Sequence, residues 1–215
     1  MDVRMREARR ERRRVILGAA AGLFAACGYR AASMEEVACR SGISKPVLYK
    51  SFSSKLELYL AVLHDALQVL DETVTAALDH AEGMQSIVAA AVAAVFDFAD
   101  LHPRAAALLA GAAVAEEPAA QRIARQAAMI CTDSLARALH PYPFAQTERR
   151  GMVIAELVAI AQTCARDWAA TGKTLPKDDA VSTTAGLCWA GVAGVHLASR
   201  SPIRAGDDLL VEEVS

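Results

Sequence analysis

Residues 33–49 read SMEEVACRSGISKPVLY, and the fold is decided in this stretch. Ser33 followed by Glu35 and Glu36 is a helix start of the capping-box kind: the hydroxyl accepts from a free N–H of the first turn and Glu36 reaches back. Met34, Val37 and Ala38 give that helix one apolar face. After about two turns Ser41-Gly42-Ile43 breaks it, with Gly42 supplying the positive φ that a tight turn demands. Ser44 opens a second short helix with Pro46 in its first turn, where the missing N–H costs nothing. Two short helices joined by a glycine turn make a helix-turn-helix, and the second of the pair, Ser44 to Lys50, is the candidate for a DNA major groove. Val37, Ala38, Ile43, Val47 and Leu48 are apolar where the two helices must lock at a fixed angle. Lys45 and Lys50 project outward, and Tyr49 offers a hydroxyl on a rigid ring.

The flanking sequence suits the same reading. From Arg12 a helical pattern of Val15, Ile16, Ala19, Leu23, Phe24 and Cys27 runs to Gly28, a usual left-handed helix end. Ahead of it, residues 1–14 carry seven arginines, a run that repels itself and is expected to be a flexible basic arm. Ser53 or Ser54 caps a further helix that runs to about Leu78 and places Lys55 beside first-turn N–H groups that favour a phosphate. Residues 1–60 hold twelve Lys and Arg against six Asp and Glu, and the remainder eleven against nineteen. A basic N-terminal module joined to an acidic remainder is the footprint of one part that meets polyanions and another that does not.

Beyond Gly83 the breaks fall at Pro103, Pro118, 140–143, 172–176 and Pro202. They leave segments of helical length at 84–101, 104–114, 118–139, 146–171 and 177–199. No alternating strand pattern occurs. The expected fold class is all-α with about nine helices. A helix-turn-helix domain spans 15–62, a helical domain 63–200, and a loose tail 201–215. The longest apolar runs, Ala105 to Ala115 and Ala185 to Val195, are too short for a membrane span of about 20 residues. No secretory signal pattern follows the N-terminal charges. Five cysteines (Cys27, Cys39, Cys131, Cys164 and Cys188) show no CxxC spacing. They read as reduced core thiols, with a thiol sensor as the alternative. A cytoplasmic location is expected.

Four linked blocks carry a family resemblance: 24–29 (FAACGY), 33–38 (SMEEVA), 41–49 (SGISKPVLY) and 52–61 (FSSKLELYLA). In order and spacing they resemble the DNA-binding domain of the TetR family of one-component regulators. The resemblance implies operator contacts from Arg12, Arg13, Arg14, Ser33, Ser44, Lys45, Pro46, Val47, Tyr49, Lys50, Ser51 and Lys55. Ser51 stands where many members have His, which removes a charge-capable phosphate contact, and Pro46 stands where many have Gly. The KPVLY and KLELYLA wording resembles a variant of the family that includes members responding to lipids or acyl thioesters.

The resemblance further implies that the C-terminal part dimerises through its last two helices and encloses a ligand. Small residues on the last helix, with Thr184, Leu187, Cys188, Gly191, Gly194 and Ala198 on roughly one side, suit a close helix approach in a homodimer. Packing within one subunit is the alternative reading. Phe96, Leu109, Met129, Thr163 and Trp168 are the candidates for a pocket that takes a small, mostly apolar effector. The expected partners are therefore double-stranded operator DNA, a second copy of the chain and that effector, with a lipid or acyl thioester as its expected class.

A catalytic reading has little support, and no cofactor is expected. His64, His80, His102, His140 and His196 lack metal-ligand spacing, and no nucleophile-elbow, phosphate-loop or dinucleotide motif is present. Two readings stay open beside a repressor released by its effector. One is a helix-turn-helix adaptor or architectural protein with no small-molecule ligand. The other is an activator, since the sign depends on where the operator lies.

Overall fold

A computed structural model of the chain describes residues 2–142 and 147–198, with side chains from 5 to 142 and from 149 to 195. Among the described residues there are nine helices and no strand. They are α1 (Asp2–Ala31), α2 (Met34–Ser41), α3 (Lys45–Ser51), α4 (Lys55–Leu78), α5 (Met84–Leu101), α6 (Pro103–Ala113), α7 (Pro118–Ala138), α8 (Thr147–Ala170) and α9 (Lys177–Ala198). The expected tail at 201–215 lies outside the described residues.

Local chemistry sets the ends of the early helices. The Ser33 hydroxyl accepts from the Glu36 N–H at 3.1 Å. Glu36 does not reach back as a capping box would have it; its carboxylate takes the Arg40 guanidinium at 2.8 Å instead. A pair of cap bonds close to that kind forms two helices later, at the start of α4. Ser54 accepts from the Glu57 N–H at 3.0 Å, and Glu57 accepts from the Ser53 N–H at 2.7 Å. Gly42 sits at φ 65°, and the Ile43 N–H closes α2 by donating to the Ala38 carbonyl at 3.2 Å.

One expectation about α1 is revised. The helix begins at Asp2 rather than near Arg12, so the arginine-rich segment is helical and continuous with the domain. Gly28, at φ 76° and ψ 169°, interrupts the helix where a helix end was expected, and a last short piece follows to Ala31. Glu11, three residues before Arg14 and paired with it at 2.6 Å, offsets part of the charge repulsion that argued against a helix.

Ile16, Leu23, Val37, Leu48, Phe52 and Leu58 are the buried centre of the N-terminal domain. The long α4 leaves that core and enters the second one with Leu63, Leu67, Leu70 and Val74. There α5 packs against α4, α8 and α9, while α6 bridges α1, α4 and α7. By length and composition α5 is apolar enough to cross a membrane, which the search for long apolar runs overlooked. In the fold it is the central core helix, with Val88, Val92, Ala94 and Phe96 enclosed. Its far end carries Asp97 and Asp100, both paired with Lys177 ahead of the bulk of α9.

Candidate nucleic-acid interface

The helix-turn-helix presents α3 outward on a buried anchor. Leu48 is fully enclosed and Val47 half-buried, so the first turn and the opposite face stay in solvent. Ser44, Lys45, Pro46, Tyr49 and Lys50 are all exposed. The Ser44 hydroxyl makes no capping bond to α3. Tyr49 keeps 41% of its surface. This arrangement brings the expected contact residues of α3 onto one accessible face.

Lys45 is already engaged across the turn, ion-paired with Glu35 of α2. The pairing raises the Lys45 ammonium above its ordinary range and lowers the Glu35 carboxyl, in both cases chiefly through their shared hydrogen bond. Lys45 therefore remains a cation at any pH at which the protein works. The Ser51 hydroxyl donates back to the Val47 carbonyl at 3.0 Å, and the Ser33 hydroxyl is occupied as the α2 cap.

Lys55 is engaged within the protein. It is half-buried, and its Nζ donates to the Arg30 carbonyl at 3.2 Å and the Ala32 carbonyl at 3.1 Å. It also sits 4.5 Å from the centre of the Tyr29 ring. Carbonyls left open at the end of α1 attract a cation, so Lys55 fastens the α1–α2 link to α4. Tyr29 in turn stacks on Tyr59 with centroids 4.8 Å apart, and Phe24 meets Tyr59 edge-on at 5.0 Å. Sequence reading missed this joint because its members lie more than twenty residues apart.

Arg6, Arg9, Arg10, Arg12, Arg13 and Arg14 are exposed. Arg13 lies over the Phe52 ring, its guanidinium carbon 4.6 Å from the centroid, at the C-terminal end of α3. Arg14 turns to Glu11 with two bonds, of 2.9 and 2.6 Å. Arg12 is exposed on the same helix.

The five pocket candidates do not converge. Phe96 and Trp168 are buried together with centroids 5.6 Å apart, and the Trp168 indole N–H donates to the Leu175 carbonyl at 2.8 Å. Leu109 is buried on α6. Met129, 60% exposed, and Thr163, also exposed, lie on the outside of the chain. The interior void of the C-terminal domain is elsewhere, between α4, α5, α7 and α8. It holds about 10 Å³ and is lined by residues that include Val74, Val88, Val92, Cys131, Leu135 and Val158. Burial pushes the Cys131 thiol up to about 11 and raises Cys188 as well, so neither is a ready thiolate.

The expected dimer face on α9 also divides. Leu187, 61% exposed, and Gly191 and Gly194 face outward. Thr184 and Cys188 are buried within the protomer, with the Thr184 hydroxyl donating to the Ala180 carbonyl at 2.8 Å. The helix turns them toward its own core. The Ala198 side chain lies outside the described residues. On α8, Gly151, Ala155 and Ala159 are exposed at i, i+4 and i+8, giving a second outward row of small residues beside the exposed Met152.

Comparison with known proteins agrees with this geometry. The signature of bacterial regulatory proteins of the tetR family matches residues 16–62. The HTH-type transcriptional activator FasR of Mycolicibacterium smegmatis is 38% identical over 189 residues, covering 88% of this chain and 86% of the relative. A TetR-like transcriptional regulator from Rhodococcus sp. RHA1 superposes with a TM-score of 0.71 at 24% identity, covering 85% of this chain and 96% of its own. The regulator FadR of Bacillus subtilis, solved in complex with stearoyl-CoA, superposes at 0.70 with 11% identity, covering 82% and 97% of the two chains. The exposed α3, its locked turn and the match over most of the chain lead to one conclusion: this protein belongs to the TetR family of bacterial transcriptional regulators.

Proposed function

We propose that the chain works as a homodimer that binds a two-fold operator sequence-specifically and lets go of it when a small, mostly apolar effector enters the C-terminal domain. The observation that carries the DNA half is the outward face of α3, where Lys45, Tyr49 and Lys50 stand together on a buried Leu48 anchor. A helix so presented reads base edges in a major groove, and a two-fold pair of them reads an inverted repeat. Small exposed residues on α8 and α9 suit the close helix approach of such a dimer. The reaction partner is cytoplasmic DNA, and no cofactor takes part.

The effector half rests on the lining of the void and on the relatives. An apolar void of about 10 Å³ between four helices is far below the roughly 300–1,000 Å³ of a ligand pocket. That void is too small for such an effector, so on this reading a ligand enters it by separating helices. Separation of α4 from its neighbours is felt in the DNA-binding domain, because α4 is shared by both cores. The bound stearoyl-CoA of the Bacillus regulator makes a long acyl thioester the first class to test.

A second reading is favoured by one finding: the 38% identical relative is named a transcriptional activator. In that reading DNA binding switches a gene on and effector-driven release switches it off. Selection of duplexes from a randomised library tests the DNA reading. An inverted repeat bound by two protomers is the expected result, and no enrichment, or binding by a monomer, contradicts it. Transcription in vitro from a promoter carrying the selected site then gives the sign.

A further inference from the structure

The helical start of α1 gives its arginines a geometry that a loose arm lacks. At 3.6 residues per turn, Arg6, Arg9, Arg10 and Arg13 stand at i, i+3, i+4 and i+7, which is one face. The acids Glu7 and Glu11 fall on another face, where Glu11 holds Arg14. Arg13 fixes the direction of the stripe, since its guanidinium lies on Phe52, the residue that ends α3. The arginine face thus starts at the end of the candidate recognition helix and continues outward from Arg13 to Arg6, about 10 Å of helix at 1.5 Å per residue.

A helix carrying side chains is about 10–12 Å across, whereas a minor groove is about 6 Å wide. This segment as a helix cannot enter the minor groove beside the site, which is where an extended basic arm would go. Its fit is to a phosphate backbone, where a straight row of guanidinium groups can meet successive anions. A membrane surface is a poorer match, because the face opposite the stripe holds only Met5, Ala8 and Val15, with Arg12 among them, which is little apolar area for a bilayer.

We infer that the stripe Arg6–Arg9–Arg10–Arg13 is a second DNA-contact surface, a helical rod that binds the phosphates flanking each half-site read by α3. The inference rests on the DNA reading proposed above and adds a site outside the helix-turn-helix. The rod lengthens the contacted duplex without adding base readout, so it raises affinity and salt dependence and leaves sequence preference alone.

The test uses the full chain and the duplex that the unaltered protein selects from a randomised library. Arg9→Ala/Arg10→Ala removes two stripe charges per protomer. Arg122→Ala/Arg125→Ala removes as many from exposed positions on α7. A third variant inserts one alanine between Glu11 and Arg12. It keeps every charge and the helix, but turns residues 2–11 by about 100° away from Arg13. The stripe variant is expected to bind about tenfold or more weakly at physiological salt and to flatten the salt slope by about 3 to 4 units per dimer. The insertion is expected to match it in affinity, the α7 variant to bind as the unaltered chain does, and all three to keep the same thermal midpoint and preferred sequence. Equal effects from the stripe and α7 variants, or a harmless insertion, overturn the rod and leave DNA binding standing. If the unaltered chain enriches no duplex, the DNA reading fails and the rod falls with it.

Discussion

Lys45 at the start of α3 is ion-paired with Glu35 of α2, so the side chain best placed to read a base is held by a carboxylate before DNA arrives. Both groups are more than half exposed, so the pair contributes little to stability. Its effect is on recognition, because Glu35 competes with DNA for the same ammonium group. Glu35→Gln is expected to tighten binding to the selected duplex by a few-fold at low salt. Lys45→Ala is expected to relax preference at one base pair per half-site, at a cost of about 1–3 kcal/mol. Repeating the duplex selection with each variant checks both, and an unchanged preference in Lys45→Ala removes the residue from base reading.

Lys55 gives the opposite kind of prediction. Its ammonium is spent on the carbonyls of Arg30 and Ala32 and on the Tyr29 ring. Lys55→Ala is expected to lower stability by about 1–2 kcal/mol through the lost charged hydrogen bonds, with the salt slope of DNA binding unchanged. Urea denaturation and a binding series in salt separate the outcomes. A slope flattened by about one unit with full stability would put Lys55 on a phosphate instead.

The loop between α8 and α9 is clamped to α5 by charge. Lys173 is ion-paired with Asp100, and Lys177 with Asp97 at 2.9 Å and Asp100 at 3.2 Å. Lys173 holds φ 58°, the one positive φ at a non-glycine residue among those described. Its hydrogen bond to Lys173, and next that to Lys177, hold the Asp100 carboxyl below its ordinary value. A depressed folded-state pKa contributes stability above the unfolded value and loses it as pH falls through the folded one. Asp100→Asn is therefore expected to melt earlier than the unaltered chain at neutral pH, with the difference closing as pH drops below about 4. Thermal melts at a series of pH values check this. A constant difference across the range would show that the clamp is not electrostatic.

Leu135 lines the void and is almost wholly buried. Leu135→Ala is expected to cost roughly 2–5 kcal/mol, since little around the void can collapse to fill the space. Urea denaturation measures it. A loss under about 1 kcal/mol would mean that the four helices close up freely, as a domain that opens for ligands by sliding would do.

The helix-turn-helix was legible because its signals are local. The cap at Ser33, the left-handed Gly42 and the cap at Ser54 each act over three or four residues. The joint of Lys55 with Arg30 and Ala32 was not legible, since tertiary folding alone brings those carbonyls to the lysine. The start of α1 was misread because charge density was weighed without the spacing that lets Glu11 meet Arg14. In the C-terminal part, helical period gave nine helices but no absolute phase. Met129 and Thr163 were chosen by residue type and lie outside, while the valines and leucines of the actual void look like any other core residues. The same lack of phase put Thr184 and Cys188 beside Leu187, when a turn of the helix separates inside from outside there.

Coupling between the C-terminal core and DNA is the central step of the proposed function. Acyl-CoA thioesters of graded length, from octanoyl to octadecanoyl, are titrated into the complex of the full chain with its selected duplex, followed by fluorescence anisotropy. Saturable release that strengthens with chain length is expected, with operator affinity lowered about 5- to 150-fold. The duplex is expected to weaken thioester binding by the same factor, because the coupling is reciprocal. Anisotropy unmoved by every thioester, with no thioester binding to the free protein, would contradict this effector and leave a DNA-binding regulator whose C-terminal domain answers to no acyl ligand.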